Sequence, residues 1–182
     1  ASDLAFGIVT LRTRAAHAAA KEKMAFLAHF DPLTHLPNRV LLRDRFEQTA
    51  LAAGDRESSV ALLYLDVDYF QKVNDALGHD IGDRLLVAIA ERLRQCVPAT
   101  DTVCRLSADE FFVLHPCTQG AGEAAALANA IRAAFVEPFA IEQHQLGVAF
   151  SIGIALYPDD GRDFATLFKC ADTAMHSAEE AG

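Results

Sequence analysis

The sequence predicts an α+β sandwich, in which helices pack on a central, mostly antiparallel sheet. Three observations support this fold class. Short apolar runs alternate with longer amphipathic segments, two of the short runs are separated by only four residues, and 52% of the 182 residues are hydrophobic. The length is that of about one domain, and the hydrophobic and charged fractions are those of a chain that buries a core.

The N-terminal part of the sequence differs from the remainder. It contains an apolar run far shorter than the roughly 20 residues that a membrane-spanning helix needs, followed by an Ala- and Lys-rich stretch that favours helix. We interpret 1–30 as a linker or signalling helix from an upstream region, and 31–182 as one domain. The alternative is an amphipathic helix packed on its own domain, with Met24, Leu27 and Phe30 on one face.

Helical and strand-like patterns alternate through the next part of the chain. Asn38 follows a proline at a position where a helix can begin, and apolar residues continue along one face to Gly54. The run SVALLYL, residues 59–65, is short and uniformly apolar, as expected of a buried strand. A long helix is predicted over 80–97, because its apolar residues recur at helical spacing and Pro98 ends it.

The second half of the sequence predicts a hairpin, two helices and one further strand. Residues 102–106 and 111–115 are strand candidates whose separation by four residues fits a hairpin. Helical patterns cover 121–135 and 164–180, and residues 148–156 form the remaining strand candidate. Strands that neighbour each other as hairpins are antiparallel, which completes the α+β assignment.

Charge and cysteine content exclude several functional classes. The chain has 16 Lys and Arg against 25 Asp and Glu, a net charge of −9, which argues against nucleic-acid binding by phosphate neutralisation. Four cysteines without CxxC pairing predict buried thiols in a reducing cytoplasm. The seven histidines show no paired ligand spacing, so their pattern predicts no zinc site. Arg105 is explained more simply by a structural ion pair than by contact with a phosphate.

Two acidic pairs lie at the ends of predicted strands. Asp66 and Asp68 close the first buried strand, and Asp109 and Glu110 occupy the hairpin tip. If the hairpin neighbours that strand, the carboxylates converge, and a cation such as Mg²⁺, which commonly also binds substrate phosphates, would neutralise them. Such a site can perform phosphoryl or nucleotidyl transfer through positioning and metal electrostatics. The structural alternative is that Asp68 caps a short helix beginning at Tyr69, while the hairpin acids are solvated turn residues.

The segment FQKVNDALGHDIGD adds a second group of polar residues. Asp80 fits the N-cap of the long helix, and Asp83 fits its first turn, where the helix dipole favours a carboxylate. Alternatively, Asn74 and Asp83 read the Watson–Crick edge of guanine, since an amide and a carboxylate match its donors and acceptors. Gly78 and Gly82 would then permit close backbone approach.

Five stretches, taken in order, resemble the motif series of the GGDEF domains: DPLTHLPNR (31–39), LDVDYFQKVNDALGHDIGD (65–83), RLSADEF (105–111), SIGIALYPDDG (151–161) and ADTAMHSAEEAG (171–182). The resemblance extends from about residue 28 to the last residue. It implies a nucleotidyl cyclase-like sandwich related to polymerase palms. Active members of this family join two GTP molecules into cyclic di-GMP with Mg²⁺ or Mn²⁺.

The resemblance implies metal-binding and catalytic roles at four positions. Asp66, the Val67 carbonyl and Asp109, the third letter of the signature, fall on metal ligands. Glu110, the fourth letter, falls on the residue that assists the metal or the deprotonation of the 3′-hydroxyl. Asp109 and Glu110 are therefore the implied catalytic residues.

The resemblance also implies how the nucleotide is held. Asn74 and Asp83 fall on the guanine-reading positions. The backbone N–H groups of Tyr69, Phe70 and Gln71, at a helix start, match the phosphate cradle. GTP is therefore the expected ligand.

The chain departs from the family pattern at glycine and lysine positions. Ser107 and Ala108 replace the two signature glycines, and each added Cβ restricts the backbone and adds bulk near the nucleotide. Gln71 and Glu179 stand where the family has lysines, which removes positive charge near the β- and γ-phosphates. Residues 98–101 read PATD at the position of the family's R-x-x-D product-inhibition site, so no allosteric product site is expected.

Three functions follow from these observations. The first is a degenerate regulatory GGDEF domain that binds GTP, makes little or no cyclic di-GMP, and regulates an adjacent EAL phosphodiesterase domain, since the end of the chain resembles the junction to such a domain. The second is an active but weak diguanylate cyclase, and the third is an interaction module that binds no nucleotide. The resemblance also implies a homodimer and an upstream sensor domain in the parent chain.

Overall fold

The computed structural model describes residues 17–54, 58–118 and 120–181. The apolar run near the start of the chain lies outside these residues. The described helices are α1 (17–29), α2 (Arg39–Gly54), α3 (Phe70–Leu77), α4 (His79–Cys96), α5 (Ala121–Ala134) and α6 (Phe164–Ala181). The described strands are β1 (Ser59–Val67), β2 (Thr102–Ser107), β3 (Glu110–Cys117), β4 (Phe139–Ile141), β5 (His144–Leu146) and β6 (Phe150–Tyr157).

The principal sheet has four strands in the order β2-β3-β1-β6. Each pair of neighbouring strands in it is antiparallel. β4 and β5 form a separate two-stranded hairpin. Helices cover both faces of the principal sheet, so the predicted α+β sandwich with helices on an antiparallel sheet is confirmed.

β1 is the central element because both of its faces are buried. Leu63 and Leu65 contribute to a core shared with α4 and α5, whereas Leu62 and Tyr64 contribute to a second core shared with α2 and α6. Successive side chains of a strand point to opposite faces. A strand with a core on each side is therefore apolar on both faces, which is why residues 60–65 of β1 show a run rather than an alternation.

α6 packs against β6 at a glycine. A Cβ added to Gly153 would lie 2.1 Å from the carbonyl oxygen of Ala171 and 2.3 Å from the backbone nitrogen of Met175. We expect Gly153→Ala to lower the free energy of unfolding by about 3 kcal/mol, because the helix must move away from the sheet.

Urea unfolding measures this effect, and Gly122→Ala in α5 is the matched control. A Cβ at Gly122 meets no atom within 4 Å. Alanine is also the better helix former, so this variant should be stabilised by up to about 1 kcal/mol. Equal effects of the two substitutions would contradict the close approach of α6 to β6.

The turn of the β2–β3 hairpin is tighter than predicted. β1 extends to Val67, so that Asp66 lies within the strand, and the turn between β2 and β3 consists of Ala108 and Asp109 alone. β3 begins at Glu110, which pairs with Asp66 of β1. The pairing of β1 with β3 therefore includes the polar residues Asp66 and Glu110. An apolar sequence pattern does not predict that polar residues belong to a strand.

The predicted start of α2 is confirmed, whereas that of α4 is corrected. The Asn38 side chain accepts a hydrogen bond from the backbone N–H of Val40 at 3.0 Å, as an N-cap does. α4 begins at His79, and its cap position is Gly78 with a φ of +89°. Asp80 is therefore a residue of the first helical turn and not the N-cap.

The apolar pattern does not predict the β4–β5 hairpin. Each strand has only three residues, too few to show a period of two. The turn between them includes Glu142 with a φ of 52°, a conformation that glutamate rarely adopts. The following strand, β6, accordingly begins at Phe150 rather than at residue 148.

The described part of α1 is mostly exposed. Met24 is 74% exposed and Leu27 is 44% exposed, so these two side chains do not line a face packed on the domain, as the alternative interpretation required. Phe26 instead stacks on Phe30, with ring centroids 5.1 Å apart, and meets the His35 ring edge-on. Among the described residues, no helix combines the length and the apolarity needed to cross a membrane.

Candidate functional site

The acidic residues meet where the end of β1 lies beside the tip of the β2–β3 hairpin. Asp66 of β1 is paired with Glu110 of β3. The backbone N–H of Val67 donates a hydrogen bond to the carbonyl oxygen of Asp109 at 3.2 Å. Pairing of β1 with β3 thus brings Asp66, Asp109 and Glu110 together, and we call these three residues the acidic cluster.

The carboxylates of this cluster repel one another. Burial is the largest cause that raises the pKa of Asp66, to about 7, and the charges of Asp109 and Glu179 add to it. The pKa of Asp109 is also raised, first by burial and then by the charges of Glu110 and Glu179. Ionisation of half-buried carboxylates that lie beside other negative charges is unfavourable. Their oxygen donors fit a hard divalent cation such as Mg²⁺.

Asp66 should make the stability of the metal-free protein depend on pH. Its pKa rises from the ordinary value of 3.8 to about 7 on folding, so the folded chain binds more protons between these values. The free energy of unfolding should therefore fall as pH rises from about 4 to about 7. In urea unfolding with EDTA, Asp66→Asn should be more stable than the wild type at about pH 8, and this advantage should shrink towards about pH 4. A pH-independent difference would contradict the prediction.

Glu110 is held by two hydroxyl groups. The Tyr64 hydroxyl donates a hydrogen bond to Oε1 of Glu110, and the Ser107 hydroxyl donates one to Oε2. Burial, together with the charge of Glu110, raises the pKa of Tyr64, which keeps its hydroxyl protonated as a donor. Tyr64 was not predicted as a site residue because it lies inside an apolar run. Ser107, at a position where the resemblance implies glycine, thus occupies one oxygen of the neighbouring carboxylate.

Arg105 anchors the hairpin tip. Its Nε and Nη2 donate hydrogen bonds to the Ala108 carbonyl oxygen at 2.9 and 2.7 Å. Its Nη1 contacts both carboxylate oxygens of Asp31, at 3.0 and 2.9 Å. The predicted structural ion pair of Arg105 is therefore confirmed, and it determines where the backbone at Ala108 lies.

The backbone N–H groups of Tyr69, Phe70 and Gln71 lie at the start of α3. Asp68 does not cap this helix, contrary to the structural alternative, since its carboxylate accepts a hydrogen bond from Ser151 Oγ at 2.8 Å. The cap position is Tyr69, with a φ of 60° and no side-chain capping hydrogen bond. A helix start without a side-chain cap can hold an anion.

Asn74 and Asp83, the two guanine-reading candidates, lie on the successive helices α3 and α4. Within the described part of the chain, Oδ1 of Asn74 is buried and has no hydrogen-bond partner. It packs on Gly82, where an added Cβ would lie 1.9 Å from it. Asp83 is exposed. Gly82 therefore permits close packing of α3 on α4, and the roles of both polar residues in base recognition remain predictions.

Two cavities open beside Asp68. One, of about 700 Å³, extends to Arg132 on α5. The other, of about 600 Å³, extends to Lys72 on α3. Asp66 and Asp109 line neither of them. The acidic cluster is thus a half-buried site at a strand end rather than a part of these two cavities.

Comparison with known proteins identifies the family. Residues 28–182 match the family described as "Diguanylate cyclase, GGDEF domain". The chain belongs to the GGDEF family. The predicted family fold is confirmed by a solved structure, the GGDEF domain of TpbB from Pseudomonas aeruginosa, which matches with a TM-score of 0.81 and 36% identity. That match covers 85% of this chain and 90% of the TpbB domain.

Two further relatives of this GGDEF domain come from composite proteins. It is 44% identical over 165 residues to the "Bifunctional diguanylate cyclase/cyclic di-GMP phosphodiesterase MucR" of Pseudomonas aeruginosa. The alignment covers 91% of this chain and 24% of MucR, so the chain spans about a quarter of that relative. A solved "EAL/GGDEF domain protein" from M. capsulatus is 42% identical, with a TM-score of 0.68, over 80% of this chain and 94% of that one.

Gln71 and Glu179 stand at the two positions where the resemblance implies lysines. The Gln71 side chain donates a hydrogen bond to Asp75 along α3, at 2.8 Å. Glu179 of α6 places a negative charge near enough to raise the pKa of both Asp66 and Asp109. The negative charge of Glu179 therefore acts directly on the acidic cluster.

Proposed function

We propose that this GGDEF domain binds GTP together with a divalent cation and makes little or no cyclic di-GMP. The observation that carries the proposal is the convergence of Asp66 and Asp109, half-buried and with raised pKa values, at the end of β1. A cation bound there would relieve the repulsion between the carboxylates, and a triphosphate would complete its oxygen ligands.

The residues present fit Mg²⁺ or Mn²⁺. Asp66 and Asp109 would supply carboxylate oxygens, and Val67 would supply its carbonyl oxygen. Both ions prefer oxygen donors and commonly retain phosphate oxygens as further ligands. When bound, the ion neutralises phosphate charge and polarises the reacting phosphoryl group.

The nucleotide would be positioned by α3 and α4. The uncapped start of α3 is suited to the phosphates, because its first N–H groups have no side-chain acceptor. Asn74 and Asp83 would contact the guanine edge, which distinguishes GTP from ATP. The groups assigned to this binding are the backbone N–H groups of Tyr69, Phe70 and Gln71 and the side chains of Asn74 and Asp83.

Three features of the site support the proposal that turnover is low. Glu110 is engaged by Tyr64 and Ser107, so it is not free to take a proton from a 3′-hydroxyl. Glu179 adds negative charge where phosphate charge develops, which opposes transition-state stabilisation. The Cβ atoms of Ser107 and Ala108 add bulk at the hairpin tip, and small displacements of a substrate can cost about 100-fold in rate.

An active but weak diguanylate cyclase is the second candidate. It is favoured by one observation: every carboxylate assigned to the metal, to the 3′-hydroxyl and to guanine is present, and Asp66, Asp109 and Glu110 lie in one cluster. Product formation separates this candidate from the first.

In its parent protein, the domain would act as a regulator. We assign 1–30 to a linker or signalling helix from an upstream sensor region and 31–182 to the GGDEF domain. The exposed apolar side chains of α1 support a helix whose partner lies outside the domain, such as the second copy in a homodimer. An adjacent EAL phosphodiesterase domain is the proposed target, as composite relatives suggest. A reducing cytoplasm is the proposed compartment, consistent with four free cysteines.

Calorimetric titration with GTP, followed by chromatography of the products, tests this function. GTP should bind in the presence of Mg²⁺ and much more weakly in EDTA, ATP should bind less tightly than GTP, and no cyclic di-GMP should accumulate with Mg²⁺ or Mn²⁺. Robust dinucleotide synthesis would establish the cyclase instead. Failure of GTP to bind under either condition would leave only the interaction module.

A further inference from the structure

A second group of potential ligands lies at the opposite end of β3 from the acidic cluster. His115 and Cys117 are alternate residues near the end of β3, and Glu123 lies in the first turn of α5. The three side chains bring one imidazole nitrogen, one sulfur and one carboxylate oxygen within 4.8 Å of one another. Two secondary-structure elements thus contribute three different donor types to one place.

His115 is oriented by a buried carboxylate. The residue is 6% exposed, and its Nδ1 lies 2.9 Å from each carboxylate oxygen of Asp101. A carboxylate accepts hydrogen bonds, so Nδ1 carries the hydrogen, and in this tautomer Nε2 keeps its lone pair. Metal-binding histidines commonly have this arrangement, in which a carboxylate holds the ring from behind.

The remaining nitrogen of His115 points into the group. Within the described part of the chain, Nε2 is buried and has no hydrogen-bond partner, and Oε1 of Glu123 lies 3.5 Å from it. The other oxygen of Glu123 accepts a hydrogen bond from the Thr118 backbone N–H at 2.8 Å. Buried polar atoms without a partner are rare and call for an explanation such as an ion.

We propose that His115, Cys117 and Glu123 bind one transition-metal cation, and that Zn²⁺ is the ion that best matches them. The combination of thiolate, imidazole and carboxylate is typical of zinc and not of Mg²⁺ or Ca²⁺. Three protein ligands leave a fourth tetrahedral position for water. Rotation of the partly exposed Glu123 side chain would bring the donors to the roughly 3.5 Å separation of tetrahedral ligands.

On binding, Cys117 forms the metal–sulfur bond as its thiolate and releases one proton to solvent. Asp101 is a positioning residue, because it orients the His115 ring without reaching the ion. The ion would join the end of β3 to the start of α5. Histidine spacing in the sequence did not predict this site, since two of its three ligands are not histidines and one of these two, Glu123, lies on another element.

Titration of the metal-free, reduced 182-residue chain with Co²⁺ tests the proposal. One equivalent should produce a thiolate-to-cobalt charge-transfer band in the near ultraviolet and the intense visible bands of a four-coordinate ion. Zn²⁺ should then remove these bands and raise the melting temperature. Co²⁺ bound only by oxygen ligands, as at the acidic cluster, produces no thiolate band, so the two sites are distinguishable.

Cys117→Ala should abolish the charge-transfer band, whereas Cys104→Ala should retain it. Cys104 is a matched control because it is an equally buried cysteine on β2 that contributes to the other core. Two further variants remain informative even if Cys117→Ala fails to fold. Glu123→Gln should weaken Co²⁺ binding about 10-fold or more, and Asp101→Asn about 10- to 100-fold with the band retained at saturation.

Three results would overturn the proposal. A spectrum without a thiolate band in the wild type would mean that Cys117 does not bind the ion. A band that persists in folded Cys117→Ala, or an affinity unchanged in both Glu123→Gln and Asp101→Asn, would mean that the ion binds elsewhere.

Discussion

Asp109→Asn is expected to abolish the Mg²⁺-dependent part of GTP binding, with the affinity falling at least about 100-fold. Asp109 would provide one of the two carboxylates that hold the ion, and asparagine has the same shape without the charge. The variant should also lower the pKa of Asp66, since the charge of Asp109 is one of the causes that raise it. Calorimetric titration with GTP in Mg²⁺ measures the effect.

Asp159→Asn is the matched control for this substitution. Asp159 is an exposed aspartate in the turn after β6, and it does not contribute to the shifted pKa values of the acidic cluster. Its replacement should leave GTP affinity unchanged. If folded Asp109→Asn binds GTP as well as the control does in Mg²⁺, the nucleotide does not use this carboxylate.

Glu179→Lys is expected to raise the affinity for GTP with Mg²⁺ about 10-fold or more. The charge of Glu179 acts on both Asp66 and Asp109, so its reversal replaces repulsion of the phosphates by attraction. Lysine is a compact cation on a flexible stem, suited to pairing with a phosphate. Calorimetry at low ionic strength, where the effect is least screened, measures the gain.

Glu180→Lys separates a local effect from a general change in net charge. Glu180 is the next residue of α6, is exposed, and is not among the causes that raise the pKa of Asp66. Both substitutions change the net charge by the same amount. Equal gains in affinity from the two variants would contradict the assignment of a specific role to Glu179.

The sequence predicted those strands whose burial produces a simple apolar pattern. β1 is apolar on both faces, so its run of small and branched residues marks it as a central strand. The convergence of Asp66 with the hairpin tip followed from one further assumption, that the hairpin neighbours β1. The antiparallel pairing of β1 with β3 agrees with that assumption.

Other features depend on contacts between residues far apart in the sequence. Asp68 accepts a hydrogen bond from Ser151, 83 residues away, and this contact removes it from the cap position that local spacing favoured. Tyr64 resembles any other core residue until its hydroxyl is seen to contact Glu110. Local propensity contains no information about such pairs, and the tertiary structure decides them.

The proposed function rests on a divalent ion shared by the end of β1 and the tip of the hairpin. Crystals of the chain grown with Mn²⁺ and a non-hydrolysable GTP analogue would test this most directly through the anomalous scattering of manganese. The expected result is a peak in contact with the carboxylates of Asp66 and Asp109, with the phosphates at the start of α3. A bound nucleotide without a manganese peak at these carboxylates would contradict the account.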